Sequence, residues 1–409
     1  MKPETSPEIT SKGDAPRPPT RPPIRVLCVH NSADLYGASR SLVRLLKVLD
    51  RRCFTPVVVL PEAGPLKPMI EPAGAEVVVH PRLSVVTRQS YHSWRLLLFF
   101  LSYPLSVLFL WGLIRRRRID VVHTNTGVMV SPALAAWLAR VPHLWHIRDW
   151  FQEFRAIWGP YSRYITMFSG RVLAVSEAIA AQFADRRKVL VLHNGFTLEE
   201  FQVPREKLRA EFRHRYGLEG AFVVGCVGRI KLVRKGQEIL VQAAGQLSQR
   251  GHHARYVIVG TCAPGNESHV EELRRMSREL GIENQLIFTG ELADPRPAYA
   301  AMDVFVLPSV QPEPFGGVVM EAMAMGVPVI ATRVGGSVDQ VAEGETGFLV
   351  PPGDPAALAE KLGVLMDSQE LRERMGRAGP LRIERHFRLE DMVRKLEILY
   401  AESVDARAR

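Results

Sequence analysis

The chain has 409 residues, with 46% hydrophobic and 23% charged residues. Against roughly 100–200 residues for a typical domain, this length implies two domains. The composition excludes a mostly disordered chain, a collagen-like chain and a polytopic membrane protein. The net charge of +10 suits nucleic acid, an anionic membrane or phosphate-bearing ligands, without choosing among them. The cysteines Cys28, Cys53, Cys226 and Cys262 are scattered with no CxxC pair, so neither a disulfide framework nor a zinc site is expected, and a reducing compartment is.

Residues 1–23 are rich in proline and poor in apolar residues, which predicts a disordered tail without the apolar stretch of an export signal. Short runs of Val, Ile and Leu follow: Ile24–His30, Val57–Leu60, Val77–His80, Ile119–His123, Leu144–Ile147, Val172–Val175 and Val189–Leu192. They do not alternate with polar residues, the pattern of strands buried on both faces of a parallel sheet. The rhythm restarts at Phe222–Val227, Tyr256–Val259, Leu286–Phe288, Val304–Leu307, Val327–Ile330 and Phe348–Val350. Two such series imply two doubly wound α/β domains, residues 24–200 and 201–385, joined within the polar stretch 198–218. Leu389, Met392, Val393, Leu396, Leu399 and Tyr400 have helical spacing, so residues 386–409 read as a closing helix and tail.

One segment departs from this rhythm. Leu96–Ile114 contains no charge, and Arg115–Arg118 follow at once. As one helix it would be about 28 Å long, close to the hydrocarbon thickness of a bilayer. Pro104, Ser102 and Ser106 argue against a span, and so does the strand beginning at Ile119, because one sheet cannot lie on both sides of a membrane. The segment 93–118 is therefore expected to associate with the membrane surface, its arginines among anionic head groups. A buried core helix is the alternative.

The densest chemistry lies in Pro312–Gly336. A strand enters a loop with two prolines and two glycines, and a helix starts near Gly316. Gly316 and Gly317 leave backbone N–H groups uncovered at the helix N-terminus, suited to phosphate or sugar hydroxyls. Glu313 in the loop and Glu321 in the helix are directed toward the carboxyl end of the sheet, where α/β folds bind ligands. Val227-Gly228-Arg229 closes another strand, and Lys235-Gly236 precedes a helical pattern. Two cations beside a pyrophosphate stabilise the charge that builds as a sugar–phosphate bond breaks. The pattern GxxxxGK[ST] is absent here, so a P-loop NTPase is not the reading.

With these residues in place, the chain resembles the retaining, nucleotide-sugar-dependent glycosyltransferases of family 4. Glu313 and Glu321 match their E-x7-E signature, and Gly228-Arg229 with Lys235-Gly236 match their Gly-Arg…Lys-Gly pair. The resemblance covers nearly all of residues 24–402. It implies the GT-B fold: two Rossmann-like domains facing each other across a cleft, with the C-terminal helix packing back toward the N-terminal, acceptor-side domain. By position, Gly228, Arg229 and Lys235 bind the donor diphosphate and Glu321 the nucleotide ribose. Glu313 lies beside the donor sugar, and the backbone at Phe315, Gly316 and Gly317 contacts sugar or phosphate. Gly37 sits at the first turn near the donor phosphates, and His146 faces donor sugar and acceptor. Asn194-Gly195 matches a turn near the cleft, and Ser176 is an N-cap or part of a Ser-Glu pair. Four features differ from the family: Tyr36-Gly37 replaces the commoner Gly-Gly, the stretch from Arg229 to Lys235 is longer and includes Lys231 and Arg234, Asp339 stands where the family often has Glu after Gly335-Gly336, and His146 is followed by Ile147-Arg148-Asp149 rather than directly by an acid.

The expected reaction transfers a sugar with retention from a UDP- or GDP-sugar co-substrate. The expected acceptor is a glycan or lipid-linked hydroxyl in lipid-linked glycan, lipopolysaccharide or exopolysaccharide synthesis. No DxD cluster stands in the right place, so no metal is expected. No enzymic nucleophile is evident, which favours a same-face reaction over a covalent intermediate. A peripheral position on the cytoplasmic face of an anionic membrane is expected, and no nucleic-acid partner. The alternatives are a sugar-nucleotide epimerase or phosphorylase on the same scaffold, or a catalytically silent membrane-associated scaffold. For single residues, simpler readings also stand. His30 and His123 read as satisfied structural histidines, Trp145, Phe151 and Trp158 as packing, Asp149 as a solvated carboxylate or a partner of Arg148, and Gly335-Gly336 as an ordinary turn.

Overall fold

The computed structural model describes residues 22–81, 83–85, 95–151, 155–262 and 265–408. The expected tail, through residue 21, and residues 93–94 of the expected membrane segment lie outside the described residues.

Each expected apolar run forms a strand. The first sheet contains β1 (Ile24–Val29), β2 (Phe54–Leu60), β3 (Glu76–Val79), β4 (Val121–Thr124), β5 (His143–Ile147), β6 (Arg171–Ala174) and β7 (Val189–Val191). They are parallel, in the order β3-β2-β1-β4-β5-β6-β7. The second contains β8 (Val223–Val227), β9 (Arg255–Val259), β10 (Leu286–Gly290), β11 (Val304–Leu307), β12 (Val329–Thr332) and β13 (Gly347–Val350). These are also parallel, in the order β10-β9-β8-β11-β12-β13.

The strands read as continuous apolar runs because both sheet faces are covered. Along β1, Val26 and Cys28 join one buried cluster and Leu27 and Val29 join another. Along β11, Phe305 and Leu307 point one way and Val304 and Val306 the other. The sheet order reverses between β1 and β4, and again between β8 and β11. At such a switch point the connections leave in opposite directions and open a crevice at the carboxyl ends of the strands.

Residues up to Gly195 together with Leu389 onward form one compact unit, and Phe196–Arg388 form the other. The C-terminal helix Leu389–Ala408 belongs to the first unit. Its Leu389, Met392, Val393, Leu396, Leu399 and Tyr400 are buried in one cluster with Leu42, Leu45 and Leu46 of the Gly37–Val48 helix. Each such side chain contributes about 1.5–3 kcal/mol through burial, which fastens the helix there.

The polar stretch 198–218 is mostly a short 3-10 turn, Leu198–Phe201, and the helix Arg205–Tyr216, both in the second unit. Its polarity reflects structural bonding. Arg209 and Arg213 clamp Asp303 at 2.6 and 2.8 Å and also donate to the carbonyls of Ala300, Ala301 and Met302, while Phe212 is buried.

Arg95–Arg116 is a single helix with two apolar faces. Val107, Leu110, Leu113 and Ile114 are buried against the first sheet. Leu101, Leu105, Leu108 and Trp111 are exposed, at 62%, 49%, 59% and 40%. Ser106 is buried, where its hydroxyl meets Ser131 Oγ at 2.7 Å. The core-helix alternative thus describes one face of this helix, and the other face is left to solvent. No helix among the described residues is long and apolar enough to cross a membrane.

Candidate active site

In the second unit, the loops leaving β8 and β11 are tied together before any side chain reaches across. Val310 and Gln311 donate their N–H groups to the Arg234 carbonyl at 3.0 and 3.1 Å. Gln237 closes the first loop by donating to the Arg229 carbonyl and accepting from Lys231 N, at 3.1 and 3.4 Å. Gly236 adopts φ +71, and a Cβ there would lie 1.9 Å from the Pro308 carbonyl oxygen, so only glycine permits this approach. The longer stretch between Arg229 and Lys235 carries exposed Val233 at φ +64, a strained conformation for a β-branched residue.

These loops bring Lys235 and Glu313 into direct contact. Lys235 Nζ donates to Glu313 Oε1 at 2.5 Å, and Ser309 Oγ donates to the same oxygen at 2.6 Å. The two side chains remain 28% and 16% exposed, so solvent or a ligand can reach the pair. Gly335-Gly336 is more than an ordinary turn. Gly336 N donates to the Glu313 carbonyl at 2.8 Å, and a Cβ on Gly335 (φ +61) would collide with that oxygen at 2.1 Å. The glycine pair therefore lets the Glu313 loop pack down.

The following helix, Gly317–Ala324, has Gly316 as its N-cap and no side-chain cap. A Cβ at Gly317 would meet nothing within 4 Å, so the space beside this residue is unfilled, whereas one at Gly316 would touch Leu307, Glu313 and Gln340. Gln340, fully buried, holds the Gly316 carbonyl at 2.9 Å, and its own Oε1 has no partner. Phe315 stacks edge-on with Phe387 at 5.9 Å. Glu321, one turn into the helix, accepts from the buried Tyr299 hydroxyl at 2.8 Å. Gly228 follows β8 directly, and Arg229 is exposed beside it. Tyr299 and Gln340 escape a reading of the sequence because each touches the site only through a residue more than twenty positions away, and Ser309, four residues before Glu313, reads there as an ordinary loop serine.

Gly37 and His146 lie in the first unit, at its own switch point. Gly37 opens the helix Gly37–Val48, which has no side-chain cap, and a Cβ there would meet nothing within 4 Å. His146, at the end of β5, is completely buried. Its Nδ1 lies 3.3 Å from Arg148 Nη2. Arg148 can only donate, so Nδ1 accepts and the proton sits on Nε2. Burial holds the His146 pKa well below the usual histidine value, with Arg148 and His123 adding to the effect and the Leu192 backbone opposing it. His146 is therefore a neutral imidazole at neutral pH.

The same holds for its neighbours. His30 is lowered to about 4 and His123 to about 3, in each case chiefly by burial and then by Arg148. His30 is satisfied on both nitrogens, by Ser39 Oγ at 2.9 Å and Asn125 Nδ2 at 3.2 Å. His123 stacks on His146 at 5.6 Å and meets the Tyr400 hydroxyl at 2.6 Å, while its Nε2 has no partner. Asp149 staples a loop by accepting from Gly127 N at 2.7 Å and Thr126 Oγ1 at 3.2 Å. Trp145 is buried, Phe151 stacks on Trp158 at 5.2 Å, and Ser176 caps its helix through Ile179 N at 3.3 Å.

Two family models match the chain: Glycosyltransferase Family 4 over residues 36–200, and Glycosyl transferases group 1 over residues 209–382. A D-inositol 3-phosphate glycosyltransferase of Corynebacterium urealyticum is 30% identical over 313 residues, which is 69% of this chain and 71% of that protein. The chain belongs to glycosyltransferase family 4. Within the family, the capsular polysaccharide biosynthesis glycosyltransferase CapM of Staphylococcus aureus is 33% identical over 246 residues, 58% of this chain and 63% of CapM. Matches to several other curated relatives span only 47–54% of their length. Among solved structures, Anabaena HepE in complex with UDP superposes with a TM-score of 0.78 at 24% identity, covering 93% of this chain and 100% of that one. This likeness establishes the shared GT-B fold. The Lys235–Glu313 pair and Glu321 fall within one family-matched region, and Gly37 and His146 within the other.

Proposed function

We propose that the chain is a retaining glycosyltransferase that moves a sugar from a UDP- or GDP-sugar to a hydroxyl of a glycan or lipid-linked acceptor. The observation that carries this reading is the Lys235–Glu313 pair, 2.5 Å apart at the β8/β11 switch point beside the helix N-terminus at Gly316, which has no side-chain cap. A diphosphate supplies the counter-charge that Glu313 otherwise gives Lys235. Lys235, Arg229, the Gly228 turn and the helix N-terminus then meet the charge on the leaving group. Glu313, released, accepts from a hydroxyl of the donor sugar, with Phe315 beside it. Glu321, oriented by Tyr299, accepts from the ribose hydroxyls.

In the transfer, the bond from the anomeric carbon to the diphosphate oxygen breaks, and a bond from that carbon to the acceptor oxygen forms on the same face. The acceptor proton passes to the departing diphosphate oxygen. These steps need no enzymic nucleophile. His146, held as a neutral imidazole, is the first unit's side chain proposed to face the donor sugar and acceptor, and Gly37 leaves the first helix open to phosphate. Because Lys235, Arg229 and backbone amides neutralise the diphosphate, EDTA should leave transfer unchanged.

A screen of UDP-, GDP- and ADP-sugars by thermal shift and product release tests the donor. HepE, solved with UDP, makes UDP the first probe. Stabilisation by none of these donors would overturn the reading.

The exposed stripe Leu101, Leu105, Leu108 and Trp111, ending at Arg115–Arg118, favours peripheral attachment to the cytoplasmic face of an anionic membrane, and with it a lipid-linked acceptor. Sedimentation with vesicles containing an anionic lipid should bring the chain down in a salt-sensitive way. Leu105→Glu should leave it in the supernatant. Equal partitioning of the two proteins would remove the membrane from the reading.

A further inference from the structure

The first unit has a cation whose counter-charge the fold does not supply. Arg148 follows β5 and is half-buried. Its Nε donates to Asn125 Oδ1 at 3.1 Å, its Nη1 to Asn194 Oδ1, and its Nη2 to His146 Nδ1 at 3.3 Å. All three acceptors are uncharged, and no described carboxylate lies within ion-pair distance of the guanidinium. Elsewhere the chain treats such groups differently: Arg209 and Arg213, similarly enclosed, share the carboxylate of Asp303. An enclosed cation held only by neutral groups keeps an uncompensated charge that a bound anion can offset. Burial draws the Arg148 pKa down to about 10, with the Asp149 charge opposing it.

Its surroundings are those of a ligand site. Asn125 follows β4 and also donates through Nδ2 to His30, after β1, and to the Ala38 carbonyl in the first helical turn, at 3.2 and 3.4 Å. Asn194 follows β7 and accepts from Ser41 of the same helix at 3.5 Å. Arg148 is thus anchored at the β1/β4 switch point, next to a helix whose N-terminus has no side-chain cap. Both amides present oxygen to the guanidinium, which fixes its plane, and a fixed planar fork matches an oxyanion bidentately.

We infer that Arg148 is the receptor for a phosphate-class oxyanion in the first unit's crevice, a binding residue additional to Arg229 and Lys235. Two sources share this chemistry: the donor diphosphate, or an anionic group on the acceptor. Only this choice of source rests on the transferase reading.

The test uses the full chain with two probes, inorganic phosphate and UDP, at constant ionic strength. Phenylglyoxal labelling of Arg148, followed by peptide mass spectrometry, should slow in their presence. Protection by UDP alone assigns the oxyanion to the donor. Protection by phosphate in the UDP-saturated protein assigns it to the acceptor. Arg148→Gln should weaken binding of the protecting probe about ten-fold or more, as expected for a lost charge-assisted contact. Arg148→Lys, which keeps the charge without the fork, should lose less. Equal labelling with and without both anions overturns the inference, and the unmodified chain decides this even if Arg148→Gln does not fold. Phosphate protection at Arg148 in a chain that binds no nucleotide sugar would overturn the transferase reading and leave the receptor intact.

Discussion

Both units place a cation at the point where sheet order reverses, but they neutralise it differently. In the second unit Lys235 has a carboxylate at 2.5 Å, on a side chain that is itself partly open to solvent. In the first, Arg148 has two amide oxygens and an imidazole nitrogen, surrounded by histidines that burial keeps uncharged. The first arrangement stores its binding group as an ion pair that a ligand exchanges. The second holds a charge that is satisfied only when an anion arrives. The two crevices therefore differ in how they respond to acid, to charge substitution and to loss of a single hydrogen bond.

Acid should separate the units most. His30, His123, His143 and His146 all lie in the first unit with pKa values lowered from 6.5, to about 4, about 3, about 3 and well below normal. Burial is the leading cause in each. The unfolded chain then binds more protons, so stability is complete above pH 6.5 and falls as pH drops from there toward 3. The loss is about 1.4 kcal/mol per pH unit for each histidine titrating only in the unfolded state. Hydrogen exchange at pH 5 should show first-unit peptides opening before those of the second. Simultaneous opening would break the contrast.

At the second crevice, Lys235→Ala and Glu313→Gln should each lower kcat about 10²–10³-fold, the scale of one lost electrostatic contact in a transition state. Product release at saturating donor measures this, and near-normal turnover would show that the ion pair is only structural. Asn194→Asp converts the first crevice to the second's design by giving Arg148 a carboxylate. Urea denaturation should show stabilisation of about 1.5–3 kcal/mol, the range for a hydrogen bond to a charged group, together with loss of phosphate protection. Tyr400→Phe should have the smallest effect. It removes the 2.6 Å contact to His123 and should destabilise the chain by about 1–2 kcal/mol, read by the same denaturation, without changing the affinity for UDP.

Much of the fold was legible in the sequence because it rests on local pattern. Unbroken runs such as Val57–Leu60 and Val304–Leu307 announce strands covered on both faces, and the spacing from Leu389 to Tyr400 announces a one-sided helix. The chemistry around Glu313 was legible for a similar reason, since Glu313, Gly316, Gly317 and Glu321 share one strand–loop–helix unit. The pairing of Lys235 with Glu313 was not, because the two residues are 78 positions apart and meet only when β8 lies beside β11. The role of Arg148 was not legible. In the sequence Arg148 stands only as a partner for Asp149, yet Asp149 accepts from Gly127 and Thr126 instead.

The amino-acid order alone determined which segments become strands, where glycines open helix ends, and which residue types gather near a phosphate-sized ligand, because each depends on neighbours within a few positions. Tertiary structure alone decided which of those residues touch, which charges are answered and which histidines stay neutral. Those outcomes depend on burial and on contacts between strands far apart in the chain, and no local pattern encodes them.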